Sequence, residues 1–165
     1  MLALGLAAGV ALGAVPVTTT SSSTTGGLQT TPALSVSIAL GASSYKHSAR
    51  PVVLTLTLHY EMQCGQPGKG PLVVALPAQE RVPATFPAGS AQVNGKAATV
   101  SRSGTTTLDV ALQPPPQVMC DVIGPGSLKL VLTKVANLGN PARAGTYGVS
   151  AHVNAHAFQA ELQVS

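Results

Sequence analysis

Tryptophan is absent from these 165 residues, and all aromatic residues together make up 3%. A hydrophobic core therefore has to be built from Val, Leu, Ile and Ala. Charge is nearly as scarce. Asp, Glu, Lys and Arg amount to 8%, against about 25% in an ordinary globular domain. So little charge excludes a helical bundle laced with ion pairs. An apolar share of 45% is too high for a chain kept unfolded by its own polarity. The formal charge of +4 comes without a basic cluster. The nine Lys and Arg are spread from Lys46 to Arg143, no two are adjacent, and no aromatic residues interleave with them. The cationic groove and stacking platform of a nucleic-acid surface are both missing, so nucleic acid is not an expected partner.

Catalytic signatures are missing as well. There is no H-E-x-x-H pair, no G-x-S-x-G elbow, no phosphate loop ending in G-K-[ST] and no D-x-D calcium loop. The five carboxylates, Glu61, Glu80, Asp109, Asp121 and Glu161, are far apart in the chain, and Asp109 is expected mid-strand facing water. No cofactor is implied, and the chain is not expected to be an enzyme. The one arrangement with ligand character is His152, Asn154 and His156, which share a face if a single strand runs through them. Two imidazoles at that spacing suit a metal that takes a third ligand from elsewhere. The competing reading is two exposed strand histidines near a turn.

What is present divides the chain in three. Residues 1–15 are uncharged and apolar, the length of a signal-peptide core and short of the ~20 residues that span a bilayer. They are read as a leader that engages a membrane transiently during export, although no Lys or Arg precedes the apolar run. Residues 16–32 are rich in Thr, Ser and Gly and read as a flexible linker with nothing to place in a core. Residues 33–165 form the folded domain. Two cysteines, Cys64 and Cys120, in an exported chain favour a disulfide. It would close a loop of more than fifty residues and contribute about 4 kcal/mol by chain entropy. The alternative is two buried thiols.

In the domain the hydrophobic period is two. Leu34, Val36, Ile38 and Leu40 alternate with small or polar residues, as do Val52, Leu54, Leu56, Leu58 and Tyr60, the pattern of half-buried strands. Further strands are expected at 72–76, 91–93, 96–100, 105–112, 128–132, 146–154 and 157–164. Asn94-Gly95 is the favoured pair for a type I′ hairpin turn. Prolines 77, 83 and 87 break up the stretch between the third and fourth strands, and prolines 114–116 end the strand before them. Eight or nine short strands with regular turn signals predict an all-β, immunoglobulin-like antiparallel sandwich, with a β-barrel as the alternative.

Several of these residues carry a resemblance. A strand ending in Pro77 leads into a proline-rich crossing, then Val93-Asn94-Gly95, a strand over 105–112 and a glycine-rich turn at 124–126. The run Asn140-Pro141-Ala142-Arg143-Ala144-Gly145-Thr146-Tyr147 closes the series. Together they resemble the Ig-like modules of bacterial surface-layer and cell-wall-associated proteins, over about residues 50–154. The resemblance implies a sandwich fold and an extracellular or cell-surface setting, and it names no ligand. The departures are the two cysteines and the single copy. In the final motif, Asn140 before Pro141 starts a turn, Gly145 permits a conformation alanine resists, and Tyr147 is placed to send its hydroxyl to loop backbone.

The expected function is a non-catalytic module, secreted or on the cell surface, that meets a protein or a cell-envelope component through its end loops. The loops of Cys64 and Cys120 are the candidates, at one end of the sandwich or at opposite ends. Two alternatives stand beside it: a metal-binding protein or small enzyme using His152 and His156, and a structural subunit that assembles through its edge strands.

Overall fold

A computed structural model describes residues 36–68, 70–113 and 121–165. The expected leader, the linker, residues 33–35, prolines 114–116 and Cys120 lie outside the described residues. The described chain forms ten strands: β1 (Ser37–Ala42), β2 (Leu54–Gln63), β3 (Pro71–Ala75), β4 (Ala91–Val93), β5 (Lys96–Ala98), β6 (Val100–Arg102), β7 (Thr107–Ala111), β8 (Ile123–Leu132), β9 (Gly145–Val153) and β10 (His156–Val164). One 3₁₀ turn, Lys134–Ala136, follows β8. Among the described residues no helix is long and apolar enough to cross a membrane.

The strands make two five-stranded sheets, β1–β2–β8–β4–β5 and β10–β9–β3–β7–β6. Every pairing is antiparallel. The result is a sandwich, not a barrel. Its central pairs, β2 with β8 and β3 with β9, flanked by β1 and β10, follow the immunoglobulin arrangement. The β4–β5 hairpin that flanks β8 precedes β7, the strand that flanks β3.

Alternation sets the layers. Along β2, Leu54, Leu56, Leu58, Tyr60 and Met62 are buried, while Thr55, Thr57, His59, Glu61 and Gln63 turn outward. Leu128, Leu130 and Leu132 of β8 continue that inner face. The opposing sheet contributes Leu72, Val74, Leu108, Val110, Val149, Ala151, Val153, Phe158 and Leu162. Each such aliphatic side chain contributes about 1.5–3 kcal/mol on leaving water, and the scarcity of rings is met by these leucine and valine rows.

Two expectations need adjustment. The Gly-Pro-Gly at 124–126 is not a turn; it lies within β8, paired with Met62, Glu61 and Tyr60. Lys129 shows why a proline fits there. Its N–H and C=O both engage Asn94, on the β4 side. Strand alternation puts the N of Pro125, four residues earlier, on that same side, past the end of β4, so the ladder to β2 loses no donor. The return strand expected over 96–100 divides at Thr99. β5 belongs to one sheet and β6 to the other, and the Thr99 carbonyl accepts from Ala111 N–H at 2.9 Å. The hairpin itself is as expected, with Asn94 and Gly95 at φ 50° and 78°.

Candidate functional site

The loops gather at two ends. At the first, β2 runs into the 64–70 loop, β8 begins, and Asn154-Ala155 joins β9 to β10. Cys64 sits at φ 53°, and its N–H donates to the Val122 carbonyl at 2.8 Å. The Cys64 loop and the described residues just before β8 therefore meet at one end. No free thiol is found among the described residues. Cys120 lies outside them, so its pairing with Cys64 stays an expectation.

A small aromatic group supports this Cys64 end. The Tyr60 ring packs at a tilt against His156, with ring centres 5.1 Å apart, and meets Phe158 edge-on at 5.7 Å. Its hydroxyl donates to the Pro67 carbonyl at 2.9 Å, and Asn154 Nδ2 donates to the same oxygen at 3.3 Å. Burial pushes the Tyr60 phenol up to about 12, because the phenolate would lose its water. The loop is thus fixed from beneath by a neutral hydroxyl and an amide. At the same end, the consecutive residues Val122 and Ile123 are 69% and 65% exposed; among the other described aliphatic side chains only Val135 is exposed to a comparable degree.

The second end is organised by Asn140, which is fully buried. Its Nδ2 donates to the carbonyls of Ser44 and Lys46, both at 2.9 Å, and its N–H to Ala49. The carbonyl of the buried Pro141 accepts from Ser48 N–H. This asparagine is a bracket for the 43–53 loop more than a turn starter. Arg50 Nε adds bonds to the Asn137 carbonyl and Oδ1. Tyr147 donates its hydroxyl to the Arg143 carbonyl at 2.9 Å. Gly145 is nearly extended at φ 158°, beside the Tyr147 ring. Ser165 exchanges backbone bonds with Tyr45 and His47, which fastens the end of β10 here too. The sequence singled out Asn140, Pro141, Gly145 and Tyr147 as one motif; the structure sets Asn140 and Pro141 against the 43–53 loop and Tyr147 against Arg143 and Gly145. The sequence missed Glu80, which joins them 5% exposed. Glu80 lies between Pro77 and Pro83, in a crossing with no periodicity from which burial could be read.

The histidine pair does not form a site. A two-residue turn at Asn154 and Ala155 interrupts the supposed continuous strand. His156 pairs with Val153, and His152 with Ala157. The first of these pairs faces inward and the second outward, so His152 and His156 point to opposite sides of the sheet. Among the described residues no three metal-binding side chains cluster. Asp109, on the outer face, accepts from Ser103 Oγ. The outer face of the β10–β9–β3 side also carries a shallow hollow of about 440 Å³ over Gly148, edged by Ala75, Ser150, Gln159 and Glu161. Its side chains offer no paired acid and base.

No protein-family model matches the chain, and no curated protein sequence matches it. Among solved structures, a crystal structure of BslA, a bacterial hydrophobin, is similar over 79% of this chain and 96% of that one, with 21% sequence identity and a TM-score of 0.46. At that distance the likeness assigns neither a partner nor an activity to this chain.

Proposed function

We propose that this domain is a non-catalytic module of an exported protein, working at the cell surface, and that it meets its partner, a protein or a cell-envelope component, with the Cys64 end. The observation that carries this reading is the consecutive, exposed pair Val122 and Ile123 at the entry to β8, pinned by the Cys64–Val122 bond. Aliphatic side chains left in water forgo their burial energy, which two consecutive ones at the end of the sandwich would regain against a partner. The rigid support from Tyr60, Asn154 and Pro67 lowers the ordering entropy that binding would otherwise cost. The apolar leader and the cysteine pair accord with work outside the cytoplasm. The Ig-like modules that the chain resembles are cell-wall-associated, which accords with an envelope partner.

The test is sedimentation of the purified domain with isolated cell-envelope fragments, comparing the native chain with a Val122→Ser/Ile123→Ser double variant. At least tenfold weaker association with an unchanged melting curve is expected. Equal binding by the two proteins would remove the Cys64 end from the reading.

A second reading, assembly through strand edges, is favoured by β10. It is an edge strand of nine residues without Pro or Lys, the residues that usually protect such edges. A concentration-dependent ladder in sedimentation velocity, abolished by Gln159→Pro, would favour it; a monomer at all concentrations would dismiss it.

A further inference from the structure

Glu80 is a buried acid with no evident reason to be buried. Neither of its carboxyl oxygens has a hydrogen-bond partner, and neither does Oδ1 of Asn140. The backbone brings the two side chains together. Arg81 and Gly139 exchange N–H···O bonds of 2.9 and 3.1 Å, so Glu80 and Asn140 are the next opposed residues of the same antiparallel bridge. Opposed residues project to one face, with Cβ atoms about 4.5–5.5 Å apart. Burial agrees with this geometry. Arg81 is exposed on the outer side of the bridge, while Glu80 and Asn140 are buried on the inner side.

Three acceptor oxygens therefore share a dry site without a donor, and a proton or a cation has to resolve it. Calcium takes six to eight oxygens, and this pair offers three with a single negative charge. The surroundings are also basic. Lys46, His47 and Arg50 lie on the 43–53 loop, Lys134 and Arg143 on the segment after β8, and Arg81 in the crossing itself, while Arg102 Nη1 donates to Val82 O. None of these groups hydrogen-bonds the Glu80 carboxyl. One proton suffices, since it removes the charge and supplies a donor. Desolvation acts in the same direction, raising the Glu80 pKa to about 7.

We propose that Glu80 is a proton-operated latch of the Asn140 end: its neutral carboxyl donates to Asn140 Oδ1 and holds the 76–90 crossing against the 137–144 turn, and loss of that proton releases the crossing. Asn140 already grips the 43–53 loop through Ser44 and Lys46, so three loops are tied at one point. An ionised Glu80 has no cation to pair with and gains water only if the loops part.

The test uses the whole chain with ¹³C-labelled glutamate carboxyls. The Glu80 signal is expected to titrate near pH 7. Amide exchange in 76–90 and 137–144, corrected for intrinsic rates, is expected to quicken at least tenfold between pH 5.5 and 8.5, and to stay slow at both in Glu80→Gln. A Glu80 midpoint near 4.5, equal protection at both pH values, or the same acceleration in Glu80→Gln would overturn the latch. Added calcium that restores protection at pH 8.5 in the native chain, and not in Glu80→Gln, would assign the site to a cation and overturn it equally. The titration needs no variant, so the proposal remains testable should Glu80→Gln fail to fold.

Discussion

The backbone N–H of Cys64 donates to the carbonyl of Val122 at 2.8 Å, and this one bond stitches the β2–β3 loop to the start of β8. Val122 is two residues from Cys120 in the chain. The stitch lies at the end where Tyr60, Pro67 and Asn154 form their own network. The Cys64 end is thus braced by that network and exposes the aliphatic side chains of Val122 and Ile123.

A disulfide between Cys64 and Cys120 follows from this proximity as an expectation. Reduction should lower the unfolding free energy by about 4 kcal/mol, the chain-entropy value for a loop of this length. Intact mass after alkylation, with and without reduction, paired with urea melts, checks it. Two thiols that alkylate without reduction would refute it.

Glu80 makes stability depend on pH in a definite direction. Its pKa is 4.5 when exposed and about 7 in the folded chain. Below 4.5 both states hold the proton and nothing is lost. Between 4.5 and 7 the unfolded chain gives up the proton and the folded one keeps it, so stability falls by about 1.4 kcal/mol per pH unit. Above 7 the loss levels off at about 3 kcal/mol. Glu80→Gln should flatten this part of the profile, as chemical denaturation at pH 4, 6 and 8 would show.

Leu130 is fully buried between Leu56 and Val93 in its sheet. Leu130→Ala should destabilise the domain by about 2–5 kcal/mol through lost burial and the cavity left behind. Equilibrium unfolding gives the value directly; a change under 1 kcal/mol would mean that the two sheets repack.

Gly68 has φ +94°, and an added Cβ there would overlap the side-chain amide of Asn154. Gly68→Ala should therefore cost about 1–2 kcal/mol, from backbone strain and from the displaced Asn154 bond to Pro67. Asn154→Ala in the same background should recover part of that loss, since it removes the overlap. Independent, additive losses would contradict the contact.

Alternation made the long strands readable. β2 and β10 bury every second side chain, and that pattern survives any detail of packing. Asn94-Gly95 was equally legible, because few residues accept two consecutive positive φ angles. The start of β8 was not. Gly124, Pro125 and Gly126 look like a turn until the neighbouring strand is known to stop at Val93, which frees the proline side of the ladder. The sheet change at Thr99 was hidden for a similar reason, since a strand pattern does not say which sheet it joins. Of the site residues, Asn140 and Tyr147 stood out through local motifs. Glu80 did not, because its burial comes from loops that are remote in sequence.

β1 enters the sandwich from the Cys64 side, and β10 leaves it at the Asn140 end, where Ser165 is tied to Tyr45 and His47. Tension applied between the two ends of the folded domain would pull along these strands. Their ladders to β2 and β9 span six and nine residue pairs, and they would be loaded in shear, many hydrogen bonds at once, instead of opening one rung at a time. A domain with this wiring resists stretching along its length far better than peeling from its side, a property suited to a part held at one end and pulled at the other.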